Sequence, residues 1–314
     1  MNRTSKLLLI LCILVISFSI YMFYINFDVI MKGIDNFIDT IKDHEVVIPE
    51  DTKNHRIYNY KTVSETNDFN PKNMNDLKKI YYTILNNGWN EFTFFCDENY
   101  KECFQDAKTL TESPEILSNF NNFVHPYNSF NHLYIDINNF GKIHVKVDKT
   151  YSKEQIEFIE NEINNIEQKI ITQNMTLEQK IKAVHDYIIN QTVYDSIGAK
   201  NLNNEDYKNK KSTHTAYGTL KYHVALCGGY SDTMSIFLER FGVSNYKISN
   251  KEHVWNLAYV NDYWKHIDLT WDDPVVNTHE NILLDHYFLI TGTELLQKDS
   301  LHHTFDQTIY KEGI

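Results

Sequence analysis

The sequence predicts an α+β fold that follows an N-terminal membrane helix. Three observations predict it. Residues 7–25 contain no charged side chain, and segments 151–171 and 227–242 carry apolar residues at three- and four-residue intervals. Segments 133–147 and 253–271 each hold two β-rich runs joined by a short turn. Helices and antiparallel hairpins in separate stretches of one chain are typical of the α+β class.

The composition is that of a folded, acidic protein. Of its 314 residues, 42% are hydrophobic and 14% aromatic, enough for a substantial core, which argues against disorder throughout. The formal net charge of −12 argues against a nucleic-acid partner, because neutralising phosphates requires a basic face. It also argues against a polybasic membrane patch.

Residues 7–25 form the predicted membrane anchor. As a helix they would span about 28 Å, close to the thickness of a hydrocarbon core. Arg3 and Lys6 precede the segment and Asp28 follows it, and positive charge on the first side favours an N-terminus inside the cell. We therefore expect a single-pass protein of the cell membrane whose folded part is extracellular. A cleaved signal peptide is the competing interpretation, but the segment is long and lacks small residues before a cleavage point.

The rest of the chain divides by pattern into a spacer and two folded regions. The predicted divisions are a short cytoplasmic end (1–6), the anchor (7–25), a stalk and polar linker (26–70), a smaller N-terminal α+β region (71–150) and a larger domain (151–314). In the region 71–150, Pro71 opens a helix, and strands 133–137 and 143–147 form a hairpin. That region shows no catalytic constellation.

Two helices are predicted before the candidate nucleophile. Segment 151–171 is a connecting helix by its apolar spacing. Thr176 caps the next helix, with Gln179 three positions on as its capping-box partner.

Four cysteines raise the question of disulfides and metals. Six residues separate Cys96 from Cys103, and both a disulfide and a pair of free thiols are open there. Two thiols alone do not make a metal site. His302 and His303 are adjacent, and adjacent side chains point apart in a strand or helix, so they do not suggest a shared ligand role. We predict no metal and no organic cofactor.

Cys227 is the candidate nucleophile. It stands directly before a stripe of apolar residues that ends at Gly242, so the pattern predicts a helix that begins at the thiol. The positive end of a helix dipole favours the thiolate. The glycines that follow leave room for a substrate carbonyl beside backbone N–H groups, which makes Gly228 a candidate oxyanion-hole residue. A buried cysteine with a structural role is the alternative.

His253 and Asp268 are predicted to meet on one face of a hairpin. Asn261 and Asp262 both tolerate positive φ and form its two-residue turn. In that register Trp255 opposes Asp268, and His253 is its diagonal neighbour on the same face. The carboxylate would orient the imidazole and stabilise its cation, as a Cys–His pair requires. A three-residue turn would instead place the two side chains on opposite faces.

These segments resemble the transglutaminase-like superfamily. Segment 225–232 looks like its nucleophile segment, 252–256 like its histidine strand, 264–274 like its aspartate strand, and 184–188 and 193–195 are similar to the helix and loop before the nucleophile in bacterial members. The resemblance covers residues 150–290, about half of the chain. Gly228 departs from it, because many members carry a larger polar residue there.

The resemblance implies a papain-like α+β fold in which the nucleophile helix packs on an antiparallel sheet. It also implies acyl transfer through a thioester. Cys227 would attack an amide, and His253, oriented by Asp268, would protonate the departing amine. The acyl group then passes to water in a protease or amidase, or to a lysine amine in a transglutaminase. Hydrolysis is the outcome that we favour.

The partners expected from this chemistry are proteins or peptides, with cell-wall peptides included. Tyr217, in the segment before the nucleophile, is the candidate second oxyanion donor. The alternative function is a non-catalytic surface module that keeps the fold and binds peptide or wall polymer. The presence of all three triad residues argues for the enzyme.

Overall fold

The computed structural model describes residues 3–41, 46–138, 141–200, 212–274 and 282–314, and within the first two helices it describes side chains from 13 to 34. The helices in these residues are α1 (Arg3–Ile25), α2 (Phe27–Ile41), α3 (Met74–Asn86), α4 (Cys103–Glu112), α5 (Pro114–Phe123), α6 (Lys153–Ile170), α7 (Leu177–Gln191), α8 (Ser196–Lys200), α9 (Ala216–Tyr222), α10 (Cys227–Arg240), α11 (Leu269–Asp272) and α12 (Gly292–Lys298). The strands are β1 (Glu91–Phe95), β2 (Phe130–Ile137), β3 (Lys142–Lys149), β4 (Val193–Tyr194), β5 (Val224–Ala225), β6 (Asn245–Ser249), β7 (Val254–Val260) and β8 (Tyr263–Ile267).

The predicted anchor, residues 7–25, lies within α1, and the chain bends directly after it. The apolar stretches Ile13–Ile25 and Phe27–Ile34 meet at 67°. From residue 13 onward, no one helix among those described is long and apolar enough to cross a membrane, whereas this bent pair qualifies by length and composition. The side chains of residues 7–12, the first part of the predicted span, lie outside the described set.

The smaller region is built on an antiparallel sheet of order β1-β3-β2. The predicted hairpin is present and longer than expected, because β2 begins at Phe130 and β3 continues to Lys149. Helix α3 begins at Met74, three residues after Pro71, since the Asn73 side chain caps it by accepting the N–H groups of Asn75 and Asp76. A disulfide joins Cys96, just after β1, to Cys103, the first residue of α4.

The segment predicted as a polar linker packs into the core. Tyr60 is 5% exposed, and its ring centroid lies 5.5 Å from that of Phe123 and 5.0 Å from that of Tyr246. Arg56 is also buried, and it donates to the Phe123 carbonyl and to Ser235. Residues 56–60 therefore connect the smaller region to the second sheet. Aromatic side chains at irregular spacing gave no pattern from which this packing could be read.

The second sheet, of order β6-β7-β8, is covered on both faces. On one face Ala258 and Val260 join the core of α10. On the other face Leu257 and Trp255 share a core with Tyr60 and the smaller region. Helix α10 thus packs on an antiparallel sheet, and the two predicted folded regions share one hydrophobic core.

Candidate active site

Cys227 is the first residue of α10 and is half-buried. Leu226 occupies the N-cap position in an extended conformation and offers no side-chain cap. The first N–H groups of a helix have no partner within the helix. The N–H groups of Cys227 and Gly228 therefore sit beside the thiol at the positive end of the helix, where they can stabilise negative charge.

The two glycines after the thiol serve packing. A Cβ on Gly228 would lie 2.8 Å from the carbonyl oxygen of His214, and one on Gly229 would lie 2.6 Å from that of Thr213. The backbone at 213–214 therefore occupies the space that a side chain at either position would need. Glycine is needed there because the helix start lies directly against another stretch of backbone.

The predicted hairpin places His253 beside Asp268. The turn residues Asn261 and Asp262 have φ of 53° and 66°, as a two-residue turn of the favoured hand requires, and Val260 pairs with Tyr263. His253 stands just before β7 and Asp268 just after β8. The His253 Nε2 atom lies 2.5 Å from Asp268 Oδ2.

Asp268 is buried, and both of its carboxylate oxygens are occupied. It is the N-cap of α11, where Oδ1 accepts the backbone N–H groups of Thr270 and Trp271 at 2.9 and 3.2 Å. Its Oδ2 faces His253 and also His303, whose Nε2 lies 3.0 Å away. Burial acts to raise the pKa of Asp268. The charge and hydrogen bond of His253 and the hydrogen bond of His303 outweigh burial and hold that pKa well below its usual range.

His253 lies between the carboxylate and the thiol. Burial alone would lower its pKa, but the charge and hydrogen bond of Asp268, followed by those of Cys227, raise it to about 10. Because Nε2 is bonded to Asp268, Nδ1 is the nitrogen left for the thiol. The ring stacks on Trp255 with centroids 5.5 Å apart. The site therefore favours an imidazolium beside the sulfur.

Tyr194 is a neighbour of the thiol that the sequence analysis did not select. The pKa of Tyr194 is raised, mainly by burial and then by the negative charges of Cys227 and Asp195. Its strand β4 pairs in parallel with β5, which ends two residues before Cys227. The segment 193–195 was noted in the sequence, but a two-residue strand has no periodicity that would place it beside the thiol.

Tyr217, predicted as an oxyanion donor, has other contacts. Its hydroxyl is hydrogen-bonded to Lys221 one turn along α9. Its ring packs edge-on against Phe158, with centroids 5.4 Å apart. These contacts place its polar end toward α6 and the lysine.

His303 is the second residue that sequence reasoning missed. From the sequence, adjacent histidines are expected to point apart, whereas His302 and His303 both lie within 3.4 Å of Asp299 Oδ2, and His303 is also buried against Asp268. The atoms of His253, Asp268 and His303 that could bind a metal ion all lie within 4.8 Å of one another. Two ligands of one zinc ion in tetrahedral geometry lie about 3.3 Å apart. The 2.5 Å contact from His253 to Asp268 is shorter and is that of a direct hydrogen bond.

Fold and site together define an α+β protein with a thiol, an imidazole and a carboxylate in line at a helix start. The chain is similar in structure to a protein described as a TGase, with 19% identity and a TM-score of 0.33 over 48% of this chain and 46% of that one. It is also similar to a candidate cysteine protease from Cytophaga hutchinsonii, with 12% identity and a TM-score of 0.27 over 44% of this chain and 61% of that one. The chain spans less than two thirds of either. No family model and no curated protein matches it.

Proposed function

We propose that this protein is a cysteine enzyme that cleaves amide bonds in peptides or proteins through a thioester on Cys227. The observation that carries the proposal is the ordered contact of Cys227, His253 and Asp268. A thiol needs a base within reach, and the base needs a third group that fixes its orientation. A cysteine with a purely structural role has no need of either.

In the acylation step the Cys227 sulfur attacks the amide carbon, and the carbonyl oxygen becomes an oxyanion. The imidazolium of His253 then gives its proton to the amide nitrogen, the carbon–nitrogen bond breaks and the amine departs. Asp268 stays ionised and stabilises the imidazolium before the transfer. The thioester and a neutral His253 remain.

The oxyanion is stabilised by N–H groups of the first turn of α10, with the Tyr194 hydroxyl as the second donor. The support for Tyr194 is its half-buried position within electrostatic reach of the thiol. Donors fixed by a helix start and a paired strand need no reorganisation as charge develops, which is how an oxyanion hole lowers a barrier.

In the second step neutral His253 takes a proton from water, and the hydroxide attacks the thioester. The carboxylic acid leaves and the thiolate–imidazolium pair is restored. An amine acceptor in place of water would give protein cross-linking, and hydrolysis is the outcome that we favour. We place the enzyme at the outer face of the cell membrane, with cell-wall peptides among its substrates. The apolar N-terminal pair and the Cys96–Cys103 disulfide support this location, because disulfides persist outside the reducing cytosol.

The test is capture of the acyl-enzyme. Wild type and Cys227→Ala are incubated with a mixed peptide library, with and without a primary amine, and are then acid-quenched for intact-protein mass spectrometry. We expect an acyl adduct on Cys227 in the wild type alone, with free acids as the main products. Products that are mainly amine-linked would show that the enzyme transfers the acyl group to amines rather than to water. A protein that forms no adduct and turns over no peptide would contradict the proposal.

A further inference from the structure

His303 is held in one orientation by the residues around it. It follows α12, is fully buried, and lies among three aromatic side chains. Its ring stacks on Tyr287 at a centroid distance of 4.9 Å and meets Trp271 and Trp255 edge-on at 5.0 and 5.1 Å. A ring packed on several sides cannot rotate freely, so the direction of its Nε2 atom is set by the fold.

The two nitrogens of His303 face two carboxylates. Nε2 lies 3.0 Å from Asp268 Oδ2, and Nδ1 lies 3.4 Å from Asp299 Oδ2, within ion-pair distance. An ionised carboxylate can only accept hydrogen bonds. Nε2 of His303 therefore carries a proton and donates it to the oxygen that also holds His253.

We propose that His303 is a positioning residue of the active site, a second histidine whose Nε2–H holds Asp268 in the orientation that aligns His253 with Cys227. The inference rests on the proposed function. His303, from the C-terminal segment of the chain, would extend the triad of Cys227, His253 and Asp268 by one residue.

The physical reason lies in what Asp268 loses without this donor. Two backbone N–H groups occupy Oδ1, and two imidazoles occupy Oδ2. Removing one donor leaves a buried carboxylate less stabilised, so it takes up a proton at higher pH. A protonated Asp268 no longer stabilises the imidazolium. The reactivity of Cys227 is therefore expected to fall first at acid pH.

The other titratable groups near Asp268 do not replace His303. His266 on β8 is buried and donates its Nε2–H to the Gly313 carbonyl. Burial lowers the pKa of His266 to about 4, so it is neutral. Tyr287 and Asp299 also lie near, and in the contacts described neither donates to the Asp268 carboxylate. Tyr287 contacts Asp268 through its backbone carbonyl, which accepts the Asp268 N–H. His303 is the side chain that completes the coordination of Oδ2.

The experiment compares His303→Gln with His303→Met, two side chains of similar length of which only glutamine can donate a hydrogen bond. His302→Ala is the matched control, because it removes the neighbouring imidazole without touching Asp268. The readout is the rate of Cys227 alkylation by iodoacetamide from acid to neutral pH. Thermal unfolding of each variant accompanies it.

We expect His303→Met to slow alkylation about tenfold or more at neutral pH and to move the acid limb upward, as loss of a supporting hydrogen bond does elsewhere. His303→Gln and His302→Ala should stay near the wild-type rate. Equal rates in the methionine variant and the wild type, or equal losses for methionine and glutamine, would overturn the inference. Slow alkylation already in the wild type would instead contradict the proposed function.

A folding failure of His303→Met leaves the inference testable in the unmodified protein. Two-bond nitrogen–proton NMR correlations of the imidazoles report which ring nitrogen carries the proton. We expect a protonated Nε2 on His303 at neutral pH. An Nε2 without a proton would overturn the inference, because it could not donate to Asp268.

Discussion

At the scale of single residues, the site centres on Asp268. This one side chain caps α11, orients His253 and accepts from His303. The sequence predicted the contact with His253, because it followed from the turn length and the alternation of strand faces. It did not predict the contact with His303, since that contact joins segments 35 residues apart through tertiary packing alone.

Tyr194 gives a prediction about the oxyanion. Tyr194→Phe removes the proposed second donor and little else, so kcat for peptide hydrolysis should fall about 100-fold while KM changes little. Tyr217→Phe is the comparison, because its hydroxyl is bonded to Lys221. Steady-state kinetics of both variants show whether the Tyr194 or the Tyr217 hydroxyl stabilises the oxyanion. A fall in kcat for Tyr217→Phe with Tyr194→Phe at the wild-type rate would restore the sequence-based assignment.

The pKa of His253 gives a prediction about stability and pH. Its value in the folded protein, about 10, lies above the ordinary 6.5. The stabilisation by its charge is therefore complete below about pH 6.5 and is lost as the pH rises through about 10. Urea unfolding of the wild type and His253→Gln should show a free-energy difference that narrows across this window. A difference that widens toward alkaline pH would contradict the raised pKa.

At the scale of secondary-structure elements, local chemistry decided what could be predicted. The Thr176–Gln179 capping box and the Asn261-Asp262 turn are present because each depends on a few adjacent residues. Strands β4 and β5 were not predicted, since two residues carry no pattern. The buried course of residues 56–60 was not predicted either, because their partners lie on distant elements.

A buried ion pair links α10 to the second sheet. The Lys247 Nζ atom on β6 lies 2.5 Å from Asp232 Oδ1 on α10, and Tyr151 donates to the other oxygen of that carboxylate. Lys247→Met would leave a buried carboxylate without its cation, so the free energy of unfolding should fall by about 3–5 kcal/mol. Urea denaturation measures it, with Lys146→Met on an exposed strand position as control. Equal losses in the two variants would show that the pair contributes nothing specific.

At the scale of the whole molecule, aromatic residues connect the two folded regions that the sequence analysis divides at residue 150. The rings of Tyr60, Phe123, Tyr246 and Tyr310 pack against one another where α5 of the smaller region meets β6 of the second sheet. Contacts between distant segments do not produce a regular spacing of apolar residues along the chain, so they could not be predicted from that spacing. The division at residue 150 therefore marks a change of pattern in the chain, while the hydrophobic core runs across it.

The orientation of the whole chain is open to a direct test. Arg3 and Lys6 before the predicted anchor, residues 7–25, predict that residues 28–314 face outward. Protease added to intact cells should release or degrade this part, as followed by antibody against a C-terminal tag. A protected folded region, with cleavage confined to the N-terminus, would reverse the topology.

The most direct measurement of the central claim is the alkylation rate of Cys227 at neutral pH in the wild type, His253→Ala and Asp268→Asn. If His253 and Asp268 act on the thiol as proposed, the wild type reacts fastest, His253→Ala slowest and Asp268→Asn in between, because the imidazolium stabilises the thiolate and the carboxylate stabilises the imidazolium. Peptide mass spectrometry locates the label on Cys227 and separates it from any label on Cys12, while Cys96 and Cys103 are joined to each other. Equal rates in all three proteins would contradict the account.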